Sequence, residues 1–272
     1  MAVKQKMLST VVPWNEVATG YEQVTMKFFQ GYADHALSIA QVGRDSDVLD
    51  IACGPGTLAL SAASLVKTVN AVDFSPAMID LLARQKRQQN IDNLMFYCGD
   101  GQCLRYDDGM FDAAFSMFGL MFFPDRAKGL WEMHRVLRKG GKAVVSSWAP
   151  VADSPAMEAA FGTLRAMNPD IPAPKFDIES LENPEVLRAE LAQAGFKNIE
   201  IKRVTQTFSA DSLDDYLSDL VTGTAPVVML KKTMTESQWL QSLAVARAHL
   251  VEVLGEGPVT LSADAWLGMA TK

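Results

Sequence analysis

Apolar and polar residues follow two different periods along the first 150 positions of the chain. Residues 24–41 carry apolar side chains at helical spacing, and residues 48–52 form a short apolar run ending at glycines. Similar runs at 69–72, 94–98, 111–116 and 143–148 predict four more buried strands, and segments 57–66, 75–89 and 125–138 predict helices. This alternation predicts an α/β fold in which helices cover both faces of a doubly wound, mostly parallel sheet.

The pattern loosens after Pro150. Prolines 155, 169, 172 and 174 predict an irregular stretch, and Asn183-Pro184 predicts the start of a helix that ends near Gly195. Segments 199–208 and 259–269 predict two late strands, which makes the sheet seven-stranded, and segments 212–221 and 236–254 predict helices between them. This insertion of roughly 45 residues is longer than most connections. It either covers a substrate or fills out the core.

The first predicted strand leads into a glycine-rich turn, with the sequence VLDIACGPGT, and then into a helix. Glycines such as Gly54 and Gly56 let the backbone turn tightly and approach a ligand closely. Ligands of open α/β sheets bind at the carboxyl ends of the strands, near the point where the strand order reverses. The turn therefore indicates a binding site, although a purely structural turn fits it too.

Acidic residues also follow the next two predicted strands. Asp73 ends the second strand, where its carboxylate could accept hydrogen bonds from a ribose diol or could cap the helix starting at Ser75. Asp100 lies in the turn CGDGQ, where a carboxylate and an adjacent amide can face an adenine edge, although such loops are common. Together with Asp50, these acids end three successive strands and favour a nucleotide-like ligand.

An NAD(P)-dependent oxidoreductase is one alternative. The segment GPGTLA satisfies the pattern G-x-G-x-x-[GA], and Asp73 could bind a nicotinamide ribose. Two features disfavour this alternative: Asp50 precedes the glycines where dinucleotide-binding proteins usually carry aliphatic residues, and the Asp100-Gly101 pair has no fixed role in that fold.

The segments VLDIACGPG, AVDFSPAMI, GDGQCL, FDAAFSMFGLMFF and HRVLRKGGKAVV, in this order, resemble the class I S-adenosylmethionine (SAM)-dependent methyltransferases. The resemblance is strongest to the small-molecule group that includes the ubiquinone/menaquinone-biosynthesis methyltransferases. It extends over about residues 14–148 and implies a Rossmann-like fold, SAM as cofactor, S-adenosylhomocysteine as product and no metal. A SAM-binding protein without catalysis is a further alternative.

The resemblance also implies roles for the residues that match the family's motifs. The implied cofactor contacts are Asp50, Ala52, Cys53, Gly54 and Gly56 around the methionine part, Asp73 at the ribose, Phe74, Met78, Asp100, Gly101 and Gln102 at the adenine, and Ser116 and Met117 beside the sulfonium. Tyr21, together with Trp14, matches an N-terminal lid whose aromatic ring closes over the cofactor. Ala52 stands where the family often has glycine, and Lys139 stands where it usually has proline.

An apolar run, MFGLMFF, follows the fourth predicted strand and is expected to form part of the core and part of an acceptor site. Phe118, Met121 and Trp148 are the predicted substrate contacts. Methyl transfer from a sulfonium depends on alignment and exclusion of water, and needs a base only if the acceptor must lose a proton. The sequence names no obvious base, so the catalytic residue is unknown, with Tyr21 and His35 as candidates.

Composition narrows the expected partners. A net charge of −7 and a pI near 5.0 disfavour nucleic acid and leave a small-molecule acceptor. Three cysteines, no signal-peptide pattern and no long apolar run predict a cytoplasmic protein without a membrane span, as a monomer or homodimer. We expect a single domain over 1–272, with a helical lid at 1–42, a cofactor-binding half at 43–150, a substrate-side region at 151–258 and the last strand at 259–272.

Overall fold

One sheet organises the computed structural model, which describes residues 7–172 and 180–272. Its strands are β1 (Asp47–Ile51), β2 (Thr68–Asp73), β3 (Leu94–Cys98), β4 (Phe111–Met117), β5 (Leu137–Trp148), β6 (Lys197–Ala210) and β7 (Val259–Thr271). The strand order is β3-β2-β1-β4-β5-β7-β6, and only β7 runs antiparallel to its neighbours within the described residues. The predicted α/β fold with a seven-stranded, mostly parallel sheet is confirmed.

Helices cover both faces of this sheet, and further helices pack at one end of it. They are α1 (Val11–Gly20), α2 (Met26–Ala40), α3 (Thr57–Ala63), α4 (Pro76–Gln88), α5 (Arg126–Val136), α6 (Pro155–Met167), α7 (Pro184–Gln193), α8 (Leu213–Gly223), α9 (Ala225–Lys231) and α10 (Glu236–Leu254). A π-helical turn, Tyr21–Thr25, joins α1 to α2. Side-chain caps define where several of these helices begin. At the start of α4, the Ser75 hydroxyl accepts a hydrogen bond from Met78 N at 3.2 Å, and Pro76 occupies the first helical position.

The apolar core has separate parts on the two faces of the sheet. Tyr32 of α2 and Leu58 of α3 pack on one face around Phe115. Leu130 of α5 and Leu187 of α7 pack on the other face. Helices α6, α8, α9 and α10 share a third apolar cluster beyond the ends of β6 and β7. Helices cover the apolar side chains on both faces of the sheet and thereby hold the strands in a fixed order. The carboxyl ends of the parallel strands therefore lie along one edge of the sheet.

Two predictions about the chain after β4 are wrong. Helix α5 ends at Val136 rather than near residue 138, and β5 begins at Leu137 rather than at 143. Leu137 pairs with Phe111, and Gly140 N donates to Lys272 O at 2.9 Å, so backbone bonds to the sheet hold this stretch extended.

The stretch after Pro150 is also more regular than predicted. Pro155 begins α6 because proline suits the first turn of a helix, and α6 packs on α10. Helix α9 is a further element that the sequence pattern did not predict. Pro174 lies outside the described residues.

Candidate active site

An open cavity of about 260 Å³ lies at the carboxyl ends of β1 to β4. Residues from four regions line it: the N-terminal helices, the turns after β1 and β2, the loop after β3 and the segment after β4. They are Ser9, Trp14, Tyr21, Ala52, Gly54, Asp73, Phe74, Met78, Gly99, Asp100, Gly101, Gln102, Met117, Phe118, Gly119, Phe122, Phe123 and Pro124. The position matches the general rule for ligand sites in open α/β sheets.

The glycine-rich turn after β1 forms one wall of this cavity. Ala52, Gly54 and Gly56 have φ angles of 58°, 54° and 99°, all in the left-handed region. A Cβ at Gly56 would also lie 2.3 Å from Leu82 Cδ1, so this position requires glycine twice over. Gly56 itself does not line the cavity, because it is the residue at which the turn ends and α3 begins. Ala52 and Gly54 line the open space.

Asp73 connects this turn to the end of β2. Its carboxylate is buried and accepts hydrogen bonds from Gly54 N at 2.9 Å and from Ser75 N at 2.8 Å. Burial raises the pKa of the Asp73 carboxyl to about 6, against these two hydrogen bonds, which lower it. Each carboxylate oxygen retains a further lone pair, so Asp73 can accept hydrogen bonds from a ligand diol in the cavity.

Asp50 and Cys53 lie behind the turn rather than on the cavity wall. The Asp50 carboxylate is buried and accepts a hydrogen bond from Ala59 N, in the first turn of α3, at 3.1 Å. Burial raises its pKa to about 7, and the Asp73 carboxylate adds to this rise. Burial, then Asp50 and Asp73, also raises the pKa of the Cys53 thiol. In this geometry Asp50 caps α3 and supports the turn from below.

The loop after β3 contributes Gly99 to Gln102 to the cavity lining. Asp100 Oδ1 accepts a hydrogen bond from Gln102 N at 2.8 Å, and Gln102 Oε1 accepts from Asp125 N at 2.9 Å. A Cβ at Gly101 would lie 2.7 Å from both Ile51 Cγ2 and Phe123 Cζ, so the loop runs directly against these side chains. Phe74 and Met78 also line the cavity.

The N-terminal helices contribute aromatic side chains to the cavity lining. Trp14 and Tyr21 both line it; the Trp14 ring lies 5.0 Å from that of Phe122, and the Tyr21 ring stacks on Phe29 at 5.8 Å. Asn15 Oδ1 accepts a hydrogen bond from the Ser75 hydroxyl at 2.7 Å, which ties α1 to the loop that carries Asp73. Burial, and to a smaller degree the Asp73 carboxylate, raise the pKa of the Tyr21 hydroxyl.

The segment after β4 forms the floor. Phe118 has a φ of 57°, which is uncommon for a residue other than glycine and costly for a bulky one. A Cβ at Gly119 would lie 2.4 Å from Ala52 Cβ, so the floor touches the glycine-rich turn. Ser116 lies beneath, with a buried hydroxyl that has no hydrogen-bond partner among the described residues. It does not line the cavity, whereas Met117 does.

An aromatic cluster adjoins this floor. The Phe118 ring packs on Trp148 at 4.3 Å, on Phe29 at 4.7 Å and on Tyr32 at 5.1 Å. Trp148 and Met121 therefore contact the core beside the cavity rather than the cavity itself. The three predicted substrate contacts are neighbours, and one of them, Phe118, reaches the open space.

His35 lies apart from the cavity. It follows Phe28 by two turns of α2, about 10 Å along the helix axis. Helix α2 runs away from the site, because it ends at Ala40, shortly before β1 begins at Asp47. The Nε2 atom of His35 is buried without a hydrogen-bond partner among the described residues. His35 does not line the cavity, and its catalytic role stays a prediction.

Several lining residues were not predicted as contacts: Ser9, Gly99, Gly119, Phe122, Phe123 and Pro124. Trp14, which the resemblance placed with Tyr21 in the N-terminal segment, also lines the cavity. Phe122 and Phe123 belong to the apolar run after β4. The sequence predicts that part of this run lies in the core and part in the site, but it does not indicate which residues belong to which. Ser9 and Pro124 have no distinguishing sequence context.

The cavity matches the polarity of an adenosyl group. Its lining combines the buried carboxylate of Asp73, the carboxylate of Asp100 with the neighbouring backbone of Gly101, and the apolar side chains of Phe74 and Met78. A diol, an aminopurine edge and a flat ring are the groups that such donors, acceptors and surfaces bind. Within the described residues, no three potential metal-ligating side chains come together.

Comparisons with known proteins agree with this geometry. A family profile described as "Methyltransferase domain" matches residues 48–141. The ubiquinone/menaquinone biosynthesis C-methyltransferase UbiE of Citrifermentans bemidjiense is 31% identical over 172 residues, which cover 56% of this chain and 71% of that protein. The UbiE protein of a Geobacter species is 40% identical over 102 residues, covering 36% of this chain and 43% of that protein. The chain thus spans between about two fifths and seven tenths of these two relatives.

Solved structures with the same fold extend the similarity over most of the chain. The YcgJ protein of Bacillus subtilis has a TM-score of 0.58 and 18% identity, covering 88% of this chain and 98% of that one. Phosphoethanolamine N-methyltransferase 2 of Haemonchus contortus, solved with SAM, has a TM-score of 0.56 and 15% identity, covering 94% of this chain and 56% of that one. At these identities the likeness concerns the fold.

The chain belongs to the class I SAM-dependent methyltransferases. Within them it resembles the ubiquinone/menaquinone-biosynthesis C-methyltransferases. In the part of the chain that the structure describes, no helix is long and apolar enough to cross a membrane.

Proposed function

We propose that this protein transfers the methyl group of SAM to an oxygen or carbon atom of a small, partly hydrophobic acceptor. The observation that carries the proposal is that Asp73 and Asp100 line the same cavity. Gly54 belongs to the wall of this cavity and Met117 to its floor. These residues come from four successive strand ends, as the family resemblance implies.

The proposed cofactor contacts follow the polarity of the cavity. Asp73 accepts hydrogen bonds from the ribose hydroxyls, and Asp100 accepts from the adenine amino group beside the backbone of Gly101. Phe74 and Met78 contact the adenine ring. Met117 lies at the sulfonium end, next to the glycine-rich turn. Asp50 supports this turn through its hydrogen bond to α3.

When bound, SAM supplies a methyl group that is already activated by a positively charged sulfur. The protein's own task is alignment and exclusion of water. The rings of Trp14 and Phe122, which both line the cavity, pack on each other and limit access of water. A tyrosine hydroxyl is already protonated near neutral pH, and burial raises the pKa of Tyr21 further, so it acts as a hydrogen-bond donor rather than as a base.

The acceptor class follows from the aromatic surroundings of the floor. Phe118 reaches the cavity, and the rings of Phe29 and Trp148 pack behind it. An aromatic or otherwise apolar acceptor fits such a surface through ring stacking and burial. The names of the relatives, which include a demethylmenaquinone methyltransferase of Staphylococcus epidermidis, make a ring carbon of a reduced quinone the first acceptor to test.

We further propose that the chain works as one unit, with residues 1–42 as the lid and 151–258 as the substrate side. The acidic net charge of −7 supports a small-molecule acceptor rather than nucleic acid. A monomer or homodimer in the cytoplasm is part of the same proposal.

The proposal is tested in two stages with the full chain. Thermal-shift measurements with SAM, S-adenosylhomocysteine, NADH and FAD identify the ligand, because one that binds only the folded protein raises the melting temperature. We expect a rise with the first two and none with NADH. A panel of phenols, reduced quinones, nucleic acids and proteins is then incubated with SAM, and S-adenosylhomocysteine release is measured. Release only with nucleic acid or protein would contradict the proposed acceptor class, and a rise only with NADH would favour the oxidoreductase.

A further inference from the structure

Ser146 lies on β5 immediately behind the floor of the cavity. Its side chain is fully buried, and its hydroxyl oxygen accepts a hydrogen bond from Phe118 N at 2.9 Å. The two strands bring these residues together, because Met117, the last residue of β4, pairs with Ser146 in the sheet register. Phe118 is therefore the first residue beyond the strand, and a side chain rather than a neighbouring backbone carbonyl satisfies its N–H.

The backbone of Phe118 needs such a partner. Its φ of 57° turns the chain sharply away from the strand direction, and the residue is buried. A buried N–H without an acceptor is unfavourable, and a left-handed conformation is unfavourable for a bulky side chain. The Ser146 hydroxyl accepts the hydrogen bond from Phe118 N and so removes the cost of an unpaired buried N–H. It does so at the same residue whose left-handed backbone conformation is unfavourable.

The turn held in this way faces the cofactor cavity. Met117, Phe118 and Gly119 are three consecutive lining residues. A Cβ at Gly119 would lie 2.4 Å from Ala52 Cβ, so any displacement of this turn would change its packing on the glycine-rich turn. Ser146 does not line the cavity, but its hydroxyl holds the backbone of Phe118, which lies between Met117 and Gly119. These lining residues would contact the sulfur end of the cofactor.

We propose that Ser146 is a positioning residue: its hydroxyl holds the turn 117–119 in the conformation that binds the cofactor and aligns the acceptor. This inference rests on the proposed function of the cavity. It predicts that loss of the hydroxyl weakens cofactor binding and lowers turnover through the shape of the turn, more than it lowers the stability of the unliganded protein.

A pair of isosteric variants gives the sharpest test. Ser146→Thr keeps the hydroxyl, whereas Ser146→Val replaces it with a methyl group of the same shape, and both side chains suit a β-strand. Any crowding from the added methyl is common to both, so their difference reports the hydroxyl. We expect S146V to bind S-adenosylhomocysteine about 10-fold more weakly than S146T in calorimetry.

Ser146→Ala and Ser147→Ala form a second pair. Ser147 is also buried on β5, but strand alternation directs its side chain to the other face of the sheet. We expect both variants to lose similar amounts of melting temperature without ligand, and only S146A to lose affinity, about 10-fold, together with kcat.

The outcomes separate this inference from the proposed function. Equal affinities of S146T and S146V, or of S146A and S147A, with binding by the unaltered protein intact, would overturn the role of Ser146 alone. If the unaltered protein itself does not bind S-adenosylhomocysteine, the proposed function fails and the inference fails with it. If S146V loses affinity only in proportion to its loss of melting temperature, the hydroxyl is structural and the inference is wrong.

Discussion

The Asp73 carboxylate, at the end of β2, accepts a hydrogen bond from Gly54 N, in the turn after β1, at 2.9 Å. A second bond, from Ser75 N at 2.8 Å, ties the same carboxylate to the start of α4. One buried side chain therefore fixes the relative position of two adjacent strand ends. The group that we propose to bind the ribose is already oriented before any ligand arrives, and pre-organisation of this kind reduces the entropic cost of binding.

Asp73→Ala should weaken SAM binding by about 1–3 kcal/mol, because the variant removes an acceptor for the ribose hydroxyls. Isothermal calorimetry with S-adenosylhomocysteine measures the change. Asp112→Ala is a suitable control, since the Asp112 carboxylate also accepts a backbone hydrogen bond, from Asp47 N at 2.8 Å, but at the opposite edge of the sheet. Unchanged affinity in D73A, or an equal loss in D112A, would remove Asp73 from the site.

Cofactor affinity should also depend on pH through the same residue. The pKa of Asp73 is raised to about 6, and hydroxyl donors favour its ionised form, so binding should expel the proton that the carboxyl holds at lower pH. Affinity should fall as pH decreases below about 6, by up to about tenfold per pH unit. Calorimetry at pH 5 in two buffers of different ionisation enthalpy measures the released proton directly.

The variant Asp73→Asn serves as the control for this proton release. Because an amide does not titrate, D73N should lose both the released proton and the pH dependence of affinity, whatever its absolute affinity. A pH-dependent affinity that persists in D73N would assign the titration to another group.

Asp50 should make the unliganded protein less stable as pH rises. Burial raises its pKa to about 7, so between about pH 4 and 7 the folded carboxyl keeps a proton that the unfolded chain has lost. Stability from this group is therefore fully present below the ordinary pKa and is lost as pH passes through the raised value. The expected difference in unfolding free energy between pH 5 and 7.5 is of the order of a few kcal/mol.

Urea unfolding of Asp50→Asn tests this sign. The amide oxygen can still accept the hydrogen bond from Ala59 N, so the α3 cap remains while the titration disappears. The variant should show a flatter dependence of unfolding free energy on pH than the unaltered protein. A dependence as steep as before, or one that rises with pH, would show that Asp50 is ionised throughout.

The sequence predicted the positions of Asp73 and Asp100 correctly relative to the sheet, because strand ends and glycine turns leave local signals. The place of Asp50 behind the turn is also readable in principle. Strand alternation puts Asp50 on the same face as Val48, which packs with α3, and a count of alternate positions along β1 would have directed its carboxylate there. The family resemblance instead assigned it to the cofactor, a role that stays a prediction.

Other features depend on contacts between distant parts of the chain. The rings of Trp14 and Phe122 pack on each other with centroids 5.0 Å apart, and the backbone N–H of Phe118 bonds to Ser146, although neither pair has a shared local pattern. Helix α6 is a different case, since Ser154-Pro155 carries the same cap-and-proline signal as Ser75-Pro76. Nearby prolines concealed it, although proline at the first helical position favours the helix.

The contact between the floor and the glycine-rich turn gives the most local prediction. A Cβ at Gly119 would lie 2.4 Å from Ala52 Cβ and 3.2 Å from Ser116 Oγ, although the φ of Gly119, −95°, suits any residue. Gly119→Ala should therefore cost about 1–3 kcal/mol through overpacking and should also displace the turn that lines the cavity.

Gly43→Ala is the matched control for this substitution. It adds the same methyl group at a position where no heavy atom outside residues 42–44 lies within 4 Å, so it should leave both melting temperature and affinity nearly unchanged. Thermal unfolding with and without S-adenosylhomocysteine distinguishes the two effects, because a displaced turn lowers the ligand-induced rise as well as the unliganded melting temperature. If G119A binds and unfolds as G43A does, then β1 and β4 can separate at their tips without loss, and the close packing of the two turns does not shape the site.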